Sequence, residues 1–170
     1  MKAQHRNPLK AGRHFTPHHY FHITLVTHRR QPFFLNTALT RTIIELLRYQ
    51  HDAGNVQSFV FMIMPDHVHW LIESINGRYD RSIQQIKSRA SRTAQTTLWQ
   101  RNYFDREIRD ERQLHQAIHY ILRNPLEDQL VNRIRDYPHW GLHPDWIPDW
   151  VMADGWFRQW GELRLITHGG

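Results

Sequence analysis

Two histidines are the residues of this chain whose spacing most directly suggests chemistry. His67 and His69 are two positions apart in the stretch HVHWLIES, whose apolar and β-branched residues predict a strand. Side chains two apart on a strand leave the same face, so the two imidazoles could chelate a divalent cation as neutral ligands. The pattern alone is weak evidence, because the chain has 14 histidines and ordinary surface or core histidines are more common.

Tyr120 and Asn124 form a second candidate pair. Residues four apart on a predicted helix lie one above the other. A tyrosine hydroxyl could attack a phosphodiester and form a covalent phosphotyrosine, while a cation acts as Lewis acid on the same phosphate. Asn124 could add an amide oxygen as a third ligand; two nitrogens and one oxygen suit Mg²⁺ or Mn²⁺, although zinc would also bind the imidazoles. Tyr120 could equally be a half-buried residue that covers the core.

The elements that must position these residues follow from hydrophobic patterning. Strands are predicted at 20–27, 56–64, 67–74 and 98–108, and helices at about 36–53, from a cap at Asp80, and from a cap at Asp110 to Asn124, before Pro125. The order βαββαβ with a further helix predicts an α+β, ferredoxin-like fold: an antiparallel sheet with helices on one face.

The C-terminal part of the sequence has a different composition. Five of the seven tryptophans lie in residues 136–170, where the helix and strand patterns dissolve. We therefore predict a domain over residues 1–135 and a Trp-rich C-terminal tail over residues 136–170, packed on or flanking it. The tail could be fixed to the core by its large aromatics, or it could offer stacking surfaces to unpaired bases.

The charge distribution favours a polyanionic partner. The formal net charge is +6, and residues 1–44 contain seven Lys or Arg and no acid. Residues 78–101 carry six basic residues against one acid, which could grip DNA phosphates or simply form a solvated surface. The candidate DNA-binding residues are Arg13, His14, Arg78, Lys87, Arg89, Arg92 and Arg101.

Two absences narrow the function classes further. The chain has no cysteine, which excludes a disulfide framework, a thiolate zinc site and a cysteine nucleophile. It shows neither a signal peptide nor an apolar run long enough to span a membrane, so we expect a cytoplasmic protein.

Four stretches in one order resemble a known family. They are MPDHVHWLI at 64–72, LWQR at 98–101, IRDE at 108–111 and YILRNPL at 120–126. The first is similar to the signature of single-tyrosine HUH transposases, and the others are similar to the REP-associated tyrosine transposases. The resemblance covers roughly residues 14–138.

The resemblance implies a role for each candidate residue. His67 and His69 match the metal-binding pair, Asn124 matches the third ligand, and Tyr120 matches the nucleophile that becomes linked to the 5′ phosphate and leaves a 3′ hydroxyl. The implied substrate is single-stranded DNA with short hairpins, here repetitive extragenic palindromes with a flanking tetranucleotide. Such proteins cut and rejoin strands without nucleotide hydrolysis, and members of this branch are expected to act as monomers more often than dimers.

The sequence also departs from the family pattern. Arg106 stands where relatives often have a histidine, and Glu127, Asp128 and Gln129 replace the usual small residues. The alternative to an active strand transferase is a domesticated protein that binds hairpins without cutting them, but a pure binder would not require His67, His69, Tyr120 and Asn124 together. An RNA-binding ferredoxin-like domain is disfavoured, since the central strands lack the aromatic pattern that such domains use.

Overall fold

The structure is a computed structural model that describes residues 5–6 and 19–142. The six strands are β1 (His5–Arg6), β2 (His19–Val26), β3 (Val56–Met64), β4 (His67–Ser74), β5 (Tyr103–Ile108) and β6 (Trp140–Leu142). The three α-helices are α1 (Thr37–Asp52), α2 (Tyr79–Ala94) and α3 (Glu111–Glu127). The strands form one antiparallel sheet in the order β1-β5-β2-β4-β3-β6. The predicted α+β arrangement is confirmed, with β4, which carries the two histidines, near the centre of the sheet.

The alternation of side chains along the strands produces two cores. On one face, Ile23 of β2 and Trp70 of β4 pack with α1 and α2; on the other, Met62 of β3 and Leu71 of β4 pack with α3. The helices α1 and α2 thus share one face, as predicted for the ferredoxin-like unit. The additional helix α3 covers the opposite face, because its apolar stripe meets the second set of buried strand residues.

Local chemistry explains where α1 begins and how β3 and β4 connect. The side chain of Asn36 accepts hydrogen bonds from the backbone N–H groups of Ala38 and Leu39 at 3.0 and 3.1 Å, as expected of an N-cap. Gly54 follows α1 with φ of 69°, a conformation that glycine adopts without strain. Pro65 and Asp66 form the turn of the β3–β4 hairpin, in which Met64 pairs with His67.

The predicted starts of α2 and β5 were wrong. Asp80 does not cap α2: the helix begins at Tyr79, and Asp80 lies in the first turn, where it accepts hydrogen bonds from Arg78. The strand predicted from residue 98 begins only at Tyr103, and Trp99 makes an isolated bridge to Thr27.

The helix α3 does not end before its proline. Asp110 caps its start, accepting from the N–H of Gln113 at 2.7 Å. Pro125 lies inside the helix, and the carbonyl of Asn124 accepts from the N–H of Asp128 at 3.0 Å. Pro125 removes one internal hydrogen bond, that to the carbonyl of Ile121, and its side chain is among the buried residues of the helix.

The predicted tail begins within the described part of the chain. Tyr137, Trp140 and Leu142 are buried with the core on the α3 side, and β6 pairs with β3. The other tryptophans of the tail, and with them the stacking hypothesis, lie outside the described residues, so the domain division at residue 136 stays a prediction. None of the helices in the described ranges has the length and apolar character needed to cross a bilayer.

Candidate active site

The two histidines of β4 face each other on the side of the sheet that α3 covers. The Nε2 atoms of His67 and His69 are 3.1 Å apart, and their rings are nearly perpendicular, at 86°. Both side chains are buried. The prediction that residues two apart on this strand share a face therefore agrees with the geometry of the pair.

Asp66 binds the ring nitrogen of His67 that does not face His69. The Nδ1–H of His67 donates to the Asp66 carboxylate at 2.6 Å, and the guanidinium of Arg30 lies 3.1 Å from the other carboxylate oxygen. Burial alone would raise the pKa of the Asp66 carboxyl, but these two partners outweigh it and hold the pKa below its usual value. In a neutral imidazole, a proton on Nδ1 leaves the lone pair on Nε2, which in His67 faces His69.

Two side chains of β2 contact Nδ1 of His69, the ring nitrogen that does not face His67. Its Nδ1 lies 3.0 Å from Nε2 of His22 and 3.2 Å from Oγ1 of Thr24, since Thr24 pairs with His69 across the β2–β4 ladder. Burial and the neighbouring histidines lower the pKa of His69 well below its usual value. Burial, with Arg106 and His67, lowers the pKa of His22 to about 4. Both rings are therefore neutral at pH 7, the state in which imidazole binds a cation.

The spacing of the two Nε2 atoms fits a divalent cation. With nitrogen–metal distances of about 2.1 Å, a 3.1 Å separation gives an angle of about 95° at the ion, close to the right angle of an octahedral site. No cluster of three or more His, Asp or Glu side chains suited to a metal occurs in the described ranges. A third protein ligand here would therefore have to be another donor, such as an amide oxygen.

Tyr120 and Asn124 approach the histidine pair from α3. The Tyr120 ring lies 5.5 Å from the His69 ring and 5.9 Å from the His22 ring, and its side chain is 54% exposed. Asn124 is buried; its Nδ2 donates to the carbonyl of Tyr120 at 2.9 Å, and its side chain also hydrogen-bonds with His69. The four residues predicted from sequence thus converge on one site.

The predicted basic residues of α2 lie elsewhere. The helix packs on the opposite face of the sheet, and Lys87, Arg89 and Arg92 contact other groups of the chain. The Lys87 ammonium donates to the carbonyls of Gln100 and Arg101 at 2.7 and 3.0 Å, and burial lowers its pKa to about 8. The Arg89 guanidinium lies 5.0 Å from the centre of the Tyr49 ring.

The remaining basic candidates are peripheral. Arg78 pairs with Asp80, and Arg92 contacts Ser88 at 3.4 Å within the same helix. Arg101 is exposed in the segment that precedes β5. Arg13 and His14 lie outside the described residues.

The partners of the two histidines were not predicted from the sequence. His22, Thr24, Asp66 and Arg30 all lie at the site, and none was singled out from sequence. A signal existed for two of them, because His22 and Thr24 are two apart on a predicted strand, the same spacing as His67 and His69.

Comparison with known proteins identifies the family. The family model described as "Transposase IS200 like" matches residues 15–124. A Haemophilus influenzae strain Rd protein, provisionally named a REP-associated tyrosine transposase, is 22% identical over 122 residues; the match spans 62% of this chain and 66% of the relative.

One solved structure shares the fold of this chain. A REP-associated tyrosine transposase bound to a REP hairpin superposes with a TM-score of 0.66 at 16% identity, covering 94% of this chain and 92% of that one. A provisionally named transposase from Deinococcus radiodurans R1 has a TM-score of 0.42 at 17% identity, over 71% and 98% of the two chains. The family model matches residues 15–124, which is more than half of this chain and includes every residue of the candidate active site. The chain therefore belongs to the IS200-like transposase family.

Proposed function

We propose that this protein is a divalent-metal-dependent endonuclease and strand transferase for single-stranded DNA, acting on REP-type palindromic hairpins through a covalent 5′-phosphotyrosine. The observation that carries the proposal is the position of Tyr120, a half-exposed phenol packed against His69, one of two buried imidazoles whose Nε2 atoms are 3.1 Å apart. A half-exposed hydroxyl beside a cation site can reach a phosphodiester that arrives from solvent.

The proposed cleavage step is an in-line displacement at phosphorus. The Tyr120 oxygen forms a bond to the phosphorus, its proton passes to water, and the bond from phosphorus to the 3′ oxygen breaks. The leaving oxygen takes a proton and becomes a 3′ hydroxyl, while the 5′ phosphate stays on the tyrosine. Attack by a 3′ hydroxyl on the phosphotyrosine reverses these changes and joins strands, so no nucleotide cofactor is needed.

The proposed metal ligands are His67, His69 and Asn124. The cation, Mg²⁺ or Mn²⁺, would supply charge neutralisation at the phosphate oxygens. The two imidazoles provide two nitrogen donors, and the buried Asn124 holds its side chain toward His69 from the last turn of α3. The partial negative charge of that helix end also favours a nearby cation.

The REP-type substrate is proposed from two relatives. The curated relative is named for REP association, and the structural neighbour is bound to a REP hairpin. Phosphate contacts from the basic residues of α2 and its flanks, and base contacts from Arg13 and His14, remain part of the proposal. The basic residues of α2 lie on the face of the sheet opposite Tyr120, so under this proposal they contact DNA that extends around the edge of the sheet. We propose that the protein acts as a monomer.

Incubation of the protein with Mn²⁺ and a REP hairpin oligonucleotide tests the proposal. A label at the 3′ end of the oligonucleotide should appear in a denaturant-resistant protein adduct, whereas a 5′ label should appear only in a free fragment with a 3′ hydroxyl. Tyr120→Phe should abolish the adduct and keep hairpin affinity within about threefold, because a nucleophile contributes to the chemical step rather than to binding.

The matched control is Tyr49→Phe, which alters another exposed tyrosine, 47% exposed on α1 and on the other face of the sheet. This variant should form adduct at the wild-type rate. An adduct that persists in Tyr120→Phe would reject Tyr120 as nucleophile. Tight hairpin binding by the wild type without any cleavage would favour the domesticated, non-cleaving hairpin-binding protein.

A further inference from the structure

The two ring nitrogens of His69 face different partners. Its Nε2 faces Nε2 of His67 at 3.1 Å, and its Nδ1 faces His22 and Thr24. A neutral imidazole carries one N–H and one lone pair, so a proton on Nδ1 places the lone pair on Nε2. The partner that accepts a hydrogen bond from Nδ1 therefore determines whether Nε2 can bind a cation.

His67 faces the same position. Its Nδ1–H donates to Asp66, so in the neutral ring the lone pair lies on Nε2 and is directed at His69. Two lone pairs 3.1 Å apart repel each other unless a proton or a cation lies between them. When a cation takes this place, the proton of His69 must move to Nδ1, where it requires an acceptor.

We propose that His22 is a positioning residue whose Nε2 accepts the Nδ1–H of His69 and so holds the Nε2 lone pair of His69 toward the bound cation. The inference rests on the proposed function, which supplies the cation. The His22 nitrogen lies 3.0 Å from Nδ1, within normal hydrogen-bond distance and closer than the Thr24 hydroxyl at 3.2 Å. Aromatic packing keeps the ring in place, since its centroid lies 5.1 Å from the His69 ring and 5.9 Å from the Tyr120 ring.

The difference between the two acceptors has a consequence for the phosphate. His67 is held by a carboxylate, whereas His69 is held by a neutral imidazole. A second carboxylate would also fix the tautomer, but its negative charge would oppose the approach of a phosphodiester and reduce the effective charge of the cation. His22 orients its partner without that charge.

Substitution of His22 separates acceptor loss from loss of packing. His22→Leu removes the acceptor and substitutes an apolar side chain of similar size. His22→Gln retains an acceptor, an amide oxygen near the position of Nε2. We expect the dissociation constant for Mn²⁺, measured by calorimetry, to rise 10- to 100-fold in His22→Leu, the usual range for groups behind a metal-ligating histidine. It should return to within about threefold of wild type in His22→Gln, and Thr24→Val should change it by less than about threefold.

The tautomer provides a readout besides activity. In ¹⁵N spectra of the Mg²⁺-loaded wild type, Nδ1 of His69 should be protonated, and in His22→Leu this signal should weaken or shift toward the other tautomer. Far-ultraviolet circular dichroism and urea unfolding check that each variant is folded. An unprotonated Nδ1 in the Mg²⁺-loaded wild type, or wild-type Mn²⁺ affinity in folded His22→Leu, would overturn the inference.

The outcomes also separate this inference from the proposed function. Wild-type Mn²⁺ affinity in His22→Leu, together with loss of adduct in Tyr120→Phe, rejects only the role of His22. A wild-type protein that neither binds Mn²⁺ nor forms an adduct rejects both proposals. A His22→Leu variant that fails to fold leaves the decision to His22→Gln and the wild-type ¹⁵N spectrum.

Discussion

The carboxylate of Asp66 is the most informative single target at this site. Asp66→Asn keeps the size of the side chain and leaves an amide oxygen that can still accept the Nδ1–H of His67. It removes the negative charge that makes the His67 imidazole a stronger donor and weakens the contact to Arg30. The substitution therefore tests charge with little change in shape.

The expected effect divides into two parts of different size. Loss of a carboxylate behind a metal-ligating histidine typically weakens metal binding 10- to 100-fold, or about 1.4–2.7 kcal/mol. The Arg30 ion pair contributes little, because the Arg30 side chain is 63% exposed and such pairs are worth about 0–1 kcal/mol. We therefore expect the loss in Mn²⁺ affinity to exceed any loss in the metal-free free energy of unfolding.

Calorimetric titration with Mn²⁺ and urea unfolding without metal measure the two parts separately. Arg30→Ala should lower stability by at most about 1 kcal/mol and leave Mn²⁺ affinity within about threefold, since the bond from His67 to Asp66 is kept. Asp80→Asn, which removes an ion pair of α2 on the other face, should leave Mn²⁺ affinity unchanged. Equal Mn²⁺ affinity in wild type and Asp66→Asn would refute the assignment of His67 as a carboxylate-supported ligand.

Three further outcomes are expected. Chelation with EDTA should abolish cleavage of a REP hairpin and Mn²⁺ should restore it, measured by gel, while cleavage in excess EDTA would reject metal dependence. Ser58→Ala should lower the free energy of urea unfolding by about 1–3 kcal/mol, because it leaves the buried Trp70 N–H, now 2.9 Å from the Ser58 hydroxyl, without its acceptor. Burial, reinforced by Asp128, raises the pKa of Tyr137 from 10.0 to about 12. The unfolded chain therefore loses the phenol proton at a lower pH than the folded chain, and the contribution of Tyr137 to the free energy of unfolding is lost as pH rises from 10 to 12. Tyr137→Phe, which deletes a 2.6 Å hydrogen bond to the Ile63 carbonyl, should cost about 0.5–1.5 kcal/mol at pH 7 and show a smaller alkaline loss in urea unfolding.

Local periodicity was sufficient to predict the strand that carries the histidines. The bounds of β3 and β4 agree with the prediction, and the two-residue period placed His67 and His69 on one face without knowledge of the neighbouring strands. The four-residue spacing likewise placed Tyr120 and Asn124 together on α3. Each of these relations depends only on residues close in sequence.

The support around the histidines could not be predicted in the same way. His22 reaches His69 only because β2 and β4 pair with Thr24 opposite His69, a register set by contacts between residues 45 positions apart. The extent of α3 beyond Pro125 was missed for another reason: the rule that proline ends a helix describes the loss of one hydrogen bond, which packing near a helix end can offset.

The histidine pair and the Tyr120–Asn124 pair lie on elements that are held in the fold in different ways. His67 and His69 lie on β4, which is paired on both sides by β2 and β3, whereas Tyr120 and Asn124 lie on a single helix packed across that face. The hydrogen bond from Asn124 to the Tyr120 carbonyl joins the nucleophile and the third proposed ligand within one turn. Any displacement of α3 would therefore change the positions of Tyr120 and Asn124 together relative to His67 and His69.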